Sequence, residues 1–184
     1  MSEKGKEETP LDPLALPLVY EDVFPSNLPP GLPLIRGIEY QINLFPGASL
    51  PNKSAYRSNP TETKELQCQL QVLIDRGYIR ETTSPCSFPT SLVPENDETM
   101  RIGVDSHAIT NITIKYRYPI PRLNDMLHEL YVAKAFSRIE LRSGYHEIRM
   151  RDADEWKTTF KTKQGLYEWL VMPFGLSNAS RTFI

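Results

Sequence analysis

The sequence predicts an α+β fold, and three observations carry that prediction. The stretch "NPTETKELQCQLQVLIDRG" sets apolar residues at helical spacing between a capping signal and a glycine stop. The runs Ser87–Val93 and Met100–Val104 are rich in strand formers and flank the polar turn "PENDET". Further on, "KTTFKT" and "YEWLVMP" flank "KQG", a natural hairpin turn.

Taken in order, residues 1–18 predict a disordered tail. "MSEKGKEETP" is charged and small, while "LDPLALPLVY", apolar but broken by prolines or turns, reads as the start of an extended arm. Residues 19–58 predict an extended arm, since many of the 16 prolines crowd there. Within it "GIEYQINL" alternates Ile38, Tyr40, Ile42 and Leu44, a short strand that could wrap a neighbouring surface but not form a core alone.

In the long helix Asn59 is the expected N-cap, Pro60 the first helical position, and Glu62 completes a capping box. Leu66, Leu70, Leu73 and Ile74 fall on one face, and Gly77 suits the stop. Packing alone accounts for that helix. After the first strand pair, "DSHAIT" predicts a helical turn. A second helix follows over residues 122–132, with Leu123, Met126, Leu127 and Leu130 inward. Next come a strand over Ala135–Leu141, a turn or short helix over Arg142–His146, a strand over Glu147–Met150 and the hairpin. Ser177 opens a last helix, and its few apolar residues suggest an incomplete domain.

Of the 184 residues 40% are hydrophobic and 24% charged, a balance that supports a core. Net charge is -2, but residues 101–184 hold 13 Lys and Arg against 9 Asp and Glu, a modest overlay that suits phosphate. Cys68 and Cys86 are too few for a disulfide framework and lack zinc spacing. His107, His128 and His146 have no ligand spacing, and no Ser or Cys sits in an activating context. With no signal-like or membrane-length apolar run, the expectation is an intracellular protein without a membrane partner, nucleus or cytoplasm left open.

The words "RYPIPRLNDML", "AFSRIELRSGYHEIRM" and "KTTFKTKQGLYEWLVMPFGLSNASRTF" resemble, in order, the reverse transcriptase domain of gypsy-type (Ty3-like) LTR retrotransposon polyproteins. "EDVFPSNLPPGLPLIRGIEYQINLFPGA", "YRSNPTETKELQCQLQVLIDRGYIRETTSP" and "RIGVDSHAITNITIKYRYPIP" extend the resemblance over residues 19–184. It implies a right-hand polymerase. Residues 59–134 would be the fingers and their join to the palm, and residues 135–184 a partial palm, truncated before the family's aromatic-x-Asp-Asp hairpin. The implied activity is RNA-directed DNA polymerisation, with template-primer and dNTP as partners and Mg²⁺ as cofactor.

The resemblance also assigns residues. Glu140 stands where the family has its first metal-binding aspartate. Arg101 matches the fingers arginine at the incoming triphosphate, where a guanidinium offers paired donors. Tyr145 matches the aromatic residue beneath the sugar that excludes a 2′-hydroxyl. "MPFGL", with Phe174 and Gly175, matches the loop below the nucleotide and templating base. Without the resemblance, Tyr145 reads as a core tyrosine, Arg101 as a surface charge, Glu140 as a turn cap and "MPFGL" as a tight turn.

Departures weigh against catalysis. Glu140 adds a methylene, moving its oxygens by on the order of 1 Å in a site where such a misplacement costs about 10²-fold. No Asp-Asp pair occurs in the chain. Where the family reads "VKKKDG", Pro94, Glu95 and Asn96 replace the basic positions; its "DYRALN" becomes "DSHAIT", and its "NAPATF" becomes "NASRTF". The expectation is therefore a reverse transcriptase fragment inactive by itself. Two alternatives remain: a non-catalytic nucleic-acid-binding module, or an interaction module completed by another polypeptide.

Overall fold

Asn59 opens the longest helix, as its sequence predicts. Its side chain accepts from Glu62 N at 2.7 Å, and Glu62 Oε2 accepts from Asn59 N at 3.0 Å. The resulting helix α1 spans Pro60–Asp75, and Gly77 follows at φ +71°. Leu66 and Leu70 are buried and Leu73 half-buried. Ile74, expected on the same face, is exposed, because it lies about 100° round the helix from Leu73 and beyond the buried stripe.

The computed structural model describes residues 31–94, 100–116, 122–131, 133–134 and 144–183. These fall in two compact units, one comprising Pro30–Ile120 and Leu141–Ile184. In chain order its strands are β1 (Glu39–Tyr40), β2 (Ile79–Glu81), β3 (Phe88–Pro94), β4 (Met100–Val104), β5 (Arg149–Met150), β6 (Phe160–Lys161) and β7 (Leu166–Trp169). Five of them form a sheet in the order β2-β7-β6-β3-β4, antiparallel except where β3 meets β6. Helix α1 packs on this sheet, so that Leu66 and Leu70 share one buried cluster with Ile79, Phe160 and Trp169. Each such leucine contributes about 1.5–3 kcal/mol. The β3–β4 hairpin runs as predicted, with Val93 opposite Arg101 and Pro94 opposite Met100. Its tip lies outside the described residues.

A second, smaller pairing sets β1 parallel to β5. Tyr40 and Ile42 enter a second core cluster with Phe88, Ile109, Met150 and Met172, while Ile38 is exposed. The arm thus contributes to a core rather than only covering one. A buried carboxylate secures it. Asp154 Oδ2 accepts from Ile42 N and from Arg151 Nη2, both at 3.0 Å, and Asp154 Oδ1 pairs with Lys157. Lys157 Nζ also donates to Ile42 O at 2.8 Å.

Helix α2 spans His107–Ile112, where "DSHAIT" predicts a helical turn. The strand expected over Glu147–Met150 is shorter, because Gly144–Glu147 coils into a 3-10 turn before β5. The last helix, α4 (Ala179–Phe183), begins two residues after Ser177. Asn178 occupies φ +65°, its side chain bridging Ile114 O at 3.0 Å and Tyr116 N at 3.2 Å. The second unit contains helix α3, Leu123–Leu130. Leu123, Met126, Leu127 and Leu130, expected inward, are exposed: helical spacing defines an apolar face but not the surface that covers it. The strand predicted over Ala135–Leu141, with Glu140, lies outside the described residues.

Candidate nucleotide-binding surface

Three segments far apart in sequence meet at the ring of Phe174. From β4 comes Arg101, whose guanidinium carbon lies 5.1 Å from the ring centroid, within cation–π range. From the 3-10 turn come Tyr145, with ring centroids 5.1 Å apart and a tilt of 39°, and His146, edge-on at 5.3 Å and 68°. Phe174 itself is 39% exposed. Tyr145 is tied in turn to α4, its hydroxyl 3.1 Å from Ser180 Oγ.

The turn carrying Phe174 is fixed by backbone geometry. Gly175 takes φ +85°, a conformation that favours glycine, and its carbonyl accepts from Ser106 Oγ at 2.6 Å. A Cβ at Gly175 would sit 3.1 Å from the same oxygen. Ser106 is one of the departures from the family's wording, and here the small buried hydroxyl holds the loop. On the other side Tyr40 donates its hydroxyl to Ser177 O, which links the arm to the segment after the loop.

Beside this surface Asp105 holds its own ring of donors. His107 approaches through Nδ1 at 2.8 Å and donates its backbone N–H at 3.2 Å, Tyr56 Oη donates at 2.9 Å, and Lys53 Nζ lies at 3.5 Å. Led by the His107 hydrogen bond, these partners hold the carboxyl well below the usual carboxylate range. Tyr56 is pushed the other way by donating to that carboxylate. His146 is pushed down to about 4, first by burial and then by the positive charges of Arg76 and Arg101.

Of the residues singled out in the sequence, Arg101, Tyr145, Phe174 and Gly175 are therefore brought together, and Glu140 is outside the described residues. His146, Trp169 and Tyr78 were missed. The available signal was position alone, since His146 adjoins Tyr145 in "GYHEI". Among the described residues no three His, Cys, Asp or Glu side chains gather as metal ligands. The carboxylate of Asp105 is already committed to cationic and hydroxyl partners. These residues do not fit a two-metal site.

Residues 93–184 match the family described as "Reverse transcriptase (RNA-dependent DNA polymerase)". The chain belongs to the reverse transcriptase family. The transposon 297 retrovirus-related Pol polyprotein of Drosophila melanogaster is 36% identical over 151 residues, 79% of this chain and 14% of that protein. The transposon Tf2-3 polyprotein of Schizosaccharomyces pombe is 30% identical over 150 residues, 81% of this chain and 11% of that protein. The expected kinship with gypsy-type retrotransposon polyproteins is borne out, and the chain spans only a small part of those relatives.

The reverse transcriptase fold is also shown. A prototype foamy virus protease-reverse transcriptase superposes with a TM-score of 0.70 at 20% identity, covering 92% of this chain and 23% of that one. The foamy viral protease-reverse transcriptase solved with an RNA/DNA hybrid gives 0.60 at 20% identity, covering 78% and 19%. Reverse transcriptases as a family use divalent metal ions. No helix among the described residues is long and apolar enough to cross a membrane.

Proposed function

We propose that this chain is the fingers and first palm segment of a retrotransposon reverse transcriptase, one that keeps a nucleotide-binding surface but cannot polymerise by itself. The observation that carries the reading is the convergence of Arg101 and Tyr145 on Phe174, beside the Gly175 turn. In this reading residues 59–134 are the fingers and their join, and residues 135–184 belong to the palm. Arg101 presents a guanidinium to the triphosphate of an incoming dNTP, with paired donors matched to phosphate oxygens. Tyr145 lies beneath the sugar and crowds a 2′-hydroxyl. The Phe174–Gly175 turn forms the floor below the nucleotide and the templating base. Template-primer, RNA or DNA, is the macromolecular partner, a class to which the RNA/DNA hybrid held by the similar foamy viral enzyme belongs.

Glu140 occupies the position of the first metal-binding aspartate, and Mg²⁺ is the family's metal. This chain supplies neither that aspartate nor an Asp-Asp pair. Two metal ions about 3.5–4 Å apart need several carboxylates in fixed positions. No catalytic step follows from the residues described, and binding is what the surface can do.

Primer extension on an RNA template, with Mg²⁺ or Mn²⁺, tests the reading. The chain as given should extend no primer above a no-enzyme control. A version carrying Glu140→Asp and continued by an intact palm of the same family should polymerise. Extension by the unaltered chain would refute its incompetence. Failure of the restored version would shift weight to Pro94, Glu95 and Asn96, and to a binding module without catalysis.

A further inference from the structure

We propose that His146 is a positioning residue for nucleotide binding, a flat ring that fixes Phe174, and through it Arg101, to the buried aromatics of the sheet. The inference rests on the nucleotide-binding reading above and adds a residue which that reading does not include.

Phe174 is partly exposed, on a turn, and has to hold a defined orientation if its face is to carry Arg101. Tyr145 also reaches it, packed against the second core cluster and with its hydroxyl near Ser180 Oγ on a short helix. His146 meets it edge-on and is anchored against two core rings. Its ring stacks on Trp169 at 5.3 Å with 27° between planes, and meets Tyr78 edge-on at 5.4 Å and 61°. Trp169 and Tyr78 are 5% and 4% exposed, so both are held by the sheet and by α1 packed on it. Among the described residues, His146 is the ring that touches both this fixed pair and Phe174.

The chemistry of the imidazole points to packing rather than proton transfer. Nε2 is buried and finds no hydrogen-bond partner among the described residues. The groups whose charges reach it are Arg76 and Arg101, both cations, and together with burial they keep it neutral. A neutral ring beside Arg101 adds no repulsion and leaves the guanidinium charge available for phosphate. Edge-to-face and offset contacts of this kind are directional, so they hold an orientation as well as a position.

The test measures dTTP binding to the full chain by calorimetry with Mg²⁺ present, for wild type, His146→Leu, His146→Phe and Arg101→Ala. Thermal midpoints are recorded alongside. Leucine keeps an apolar side chain in the space but removes the flat ring; phenylalanine keeps a ring and removes the unpartnered nitrogen. His146→Leu should weaken binding on the order of tenfold, the scale expected when a contact group is displaced by a fraction of an ångström. His146→Phe should bind within about twofold of wild type, because no hydrogen bond is lost. A purely structural role would move the midpoints without separating Leu from Phe in affinity.

Equal affinities of wild type and His146→Leu, with Arg101→Ala still weakened, would overturn this inference and leave the nucleotide reading standing. Loss of affinity in His146→Phe as large as in His146→Leu would also overturn it, by making the nitrogen the functional part. No dTTP binding by wild type, or none of it sensitive to Arg101→Ala, would remove the nucleotide reading and this inference with it. If His146→Leu unfolds, ring-proton shifts of Phe174 in wild type and His146→Phe decide. Ring-current shifts shared by the two support the anchored orientation, and their absence from wild type refutes it.

Discussion

Asp154→Ala removes the carboxylate that ties the arm to the rest of its unit, and its effect can be worked out from the partners it leaves. Asp154 is 2% exposed and serves Ile42 N, Arg151 and Lys157. The Arg151 side chain is 45% exposed, so its pair contributes at most about 1 kcal/mol. Lys157 is different, since its side chain is only 14% exposed and the substitution leaves its ammonium with Ile42 O alone among these partners. Breaking one side of a buried pair costs about 3–5 kcal/mol, and an orphaned Ile42 amide belongs within that loss. Against a typical stability of about 5–15 kcal/mol this is a large fraction. Urea unfolding should show the loss, and hydrogen exchange should localise it to residues 40–45. Asp154→Ala with Lys157→Met should recover part of it, because removing both charges leaves none stranded. A loss under about 1 kcal/mol, with unchanged exchange at Ile42, would refute the assignment of Asp154 as the arm's clasp.

Gly175→Ala should destabilise by about 1–3 kcal/mol, from φ +85° and a Cβ 3.1 Å from Ser106 Oγ; adding Ser106→Ala should relieve the contact but not the backbone strain, as thermal melts of the three variants would show. For His146, lowered from 6.5 to about 4, the unfolded chain takes up a proton before the folded one does. Its contribution, at most about 3 kcal/mol, is therefore complete above pH about 6.5 and lost as pH falls towards about 4; melts across that window should show a shallower loss in His146→Phe than in wild type.

Local signals in the sequence were legible where local physics decides the outcome. Asn59, Pro60, Glu62 and Gly77 bounded α1 because capping and left-handed stops depend on a few neighbouring residues. The two hairpins followed from turn residues between apolar runs. Legibility failed where a distant partner decides. The arm's entry into the core depends on Asp154 and Lys157, more than a hundred residues further along the chain. The late start of α4 depends on Asn178 reaching Ile114 and Tyr116. At the site, Arg101, Tyr145, Phe174 and Gly175 were found through resemblance, not periodicity. His146 was passed over because a histidine without ligand spacing gives no signal until its ring neighbours are known.

Three of the departures from the family's wording sit where the fold tolerates them. Pro94 is the last residue of β3, beyond the stretch paired with β6, where a missing N–H breaks no interior ladder. His107 projects from the start of α2, its side chain 91% exposed, and finds a partner in Asp105. Ser106 is buried but satisfied by the Gly175 carbonyl. None of these changes strands a buried charge or opens a cavity lined by Tyr40, Phe88, Phe160 or Trp169, the kinds of defect that cost several kcal/mol. Metal-binding carboxylates, by contrast, serve stability little and are costly to hold together, because like charges repel. Replacing a metal-binding carboxylate is therefore compatible with the fold, whereas replacing Asp154 costs the contacts that hold the arm. The sign of the effect depends on whether the charge faces an ion from outside the chain or a lysine within it.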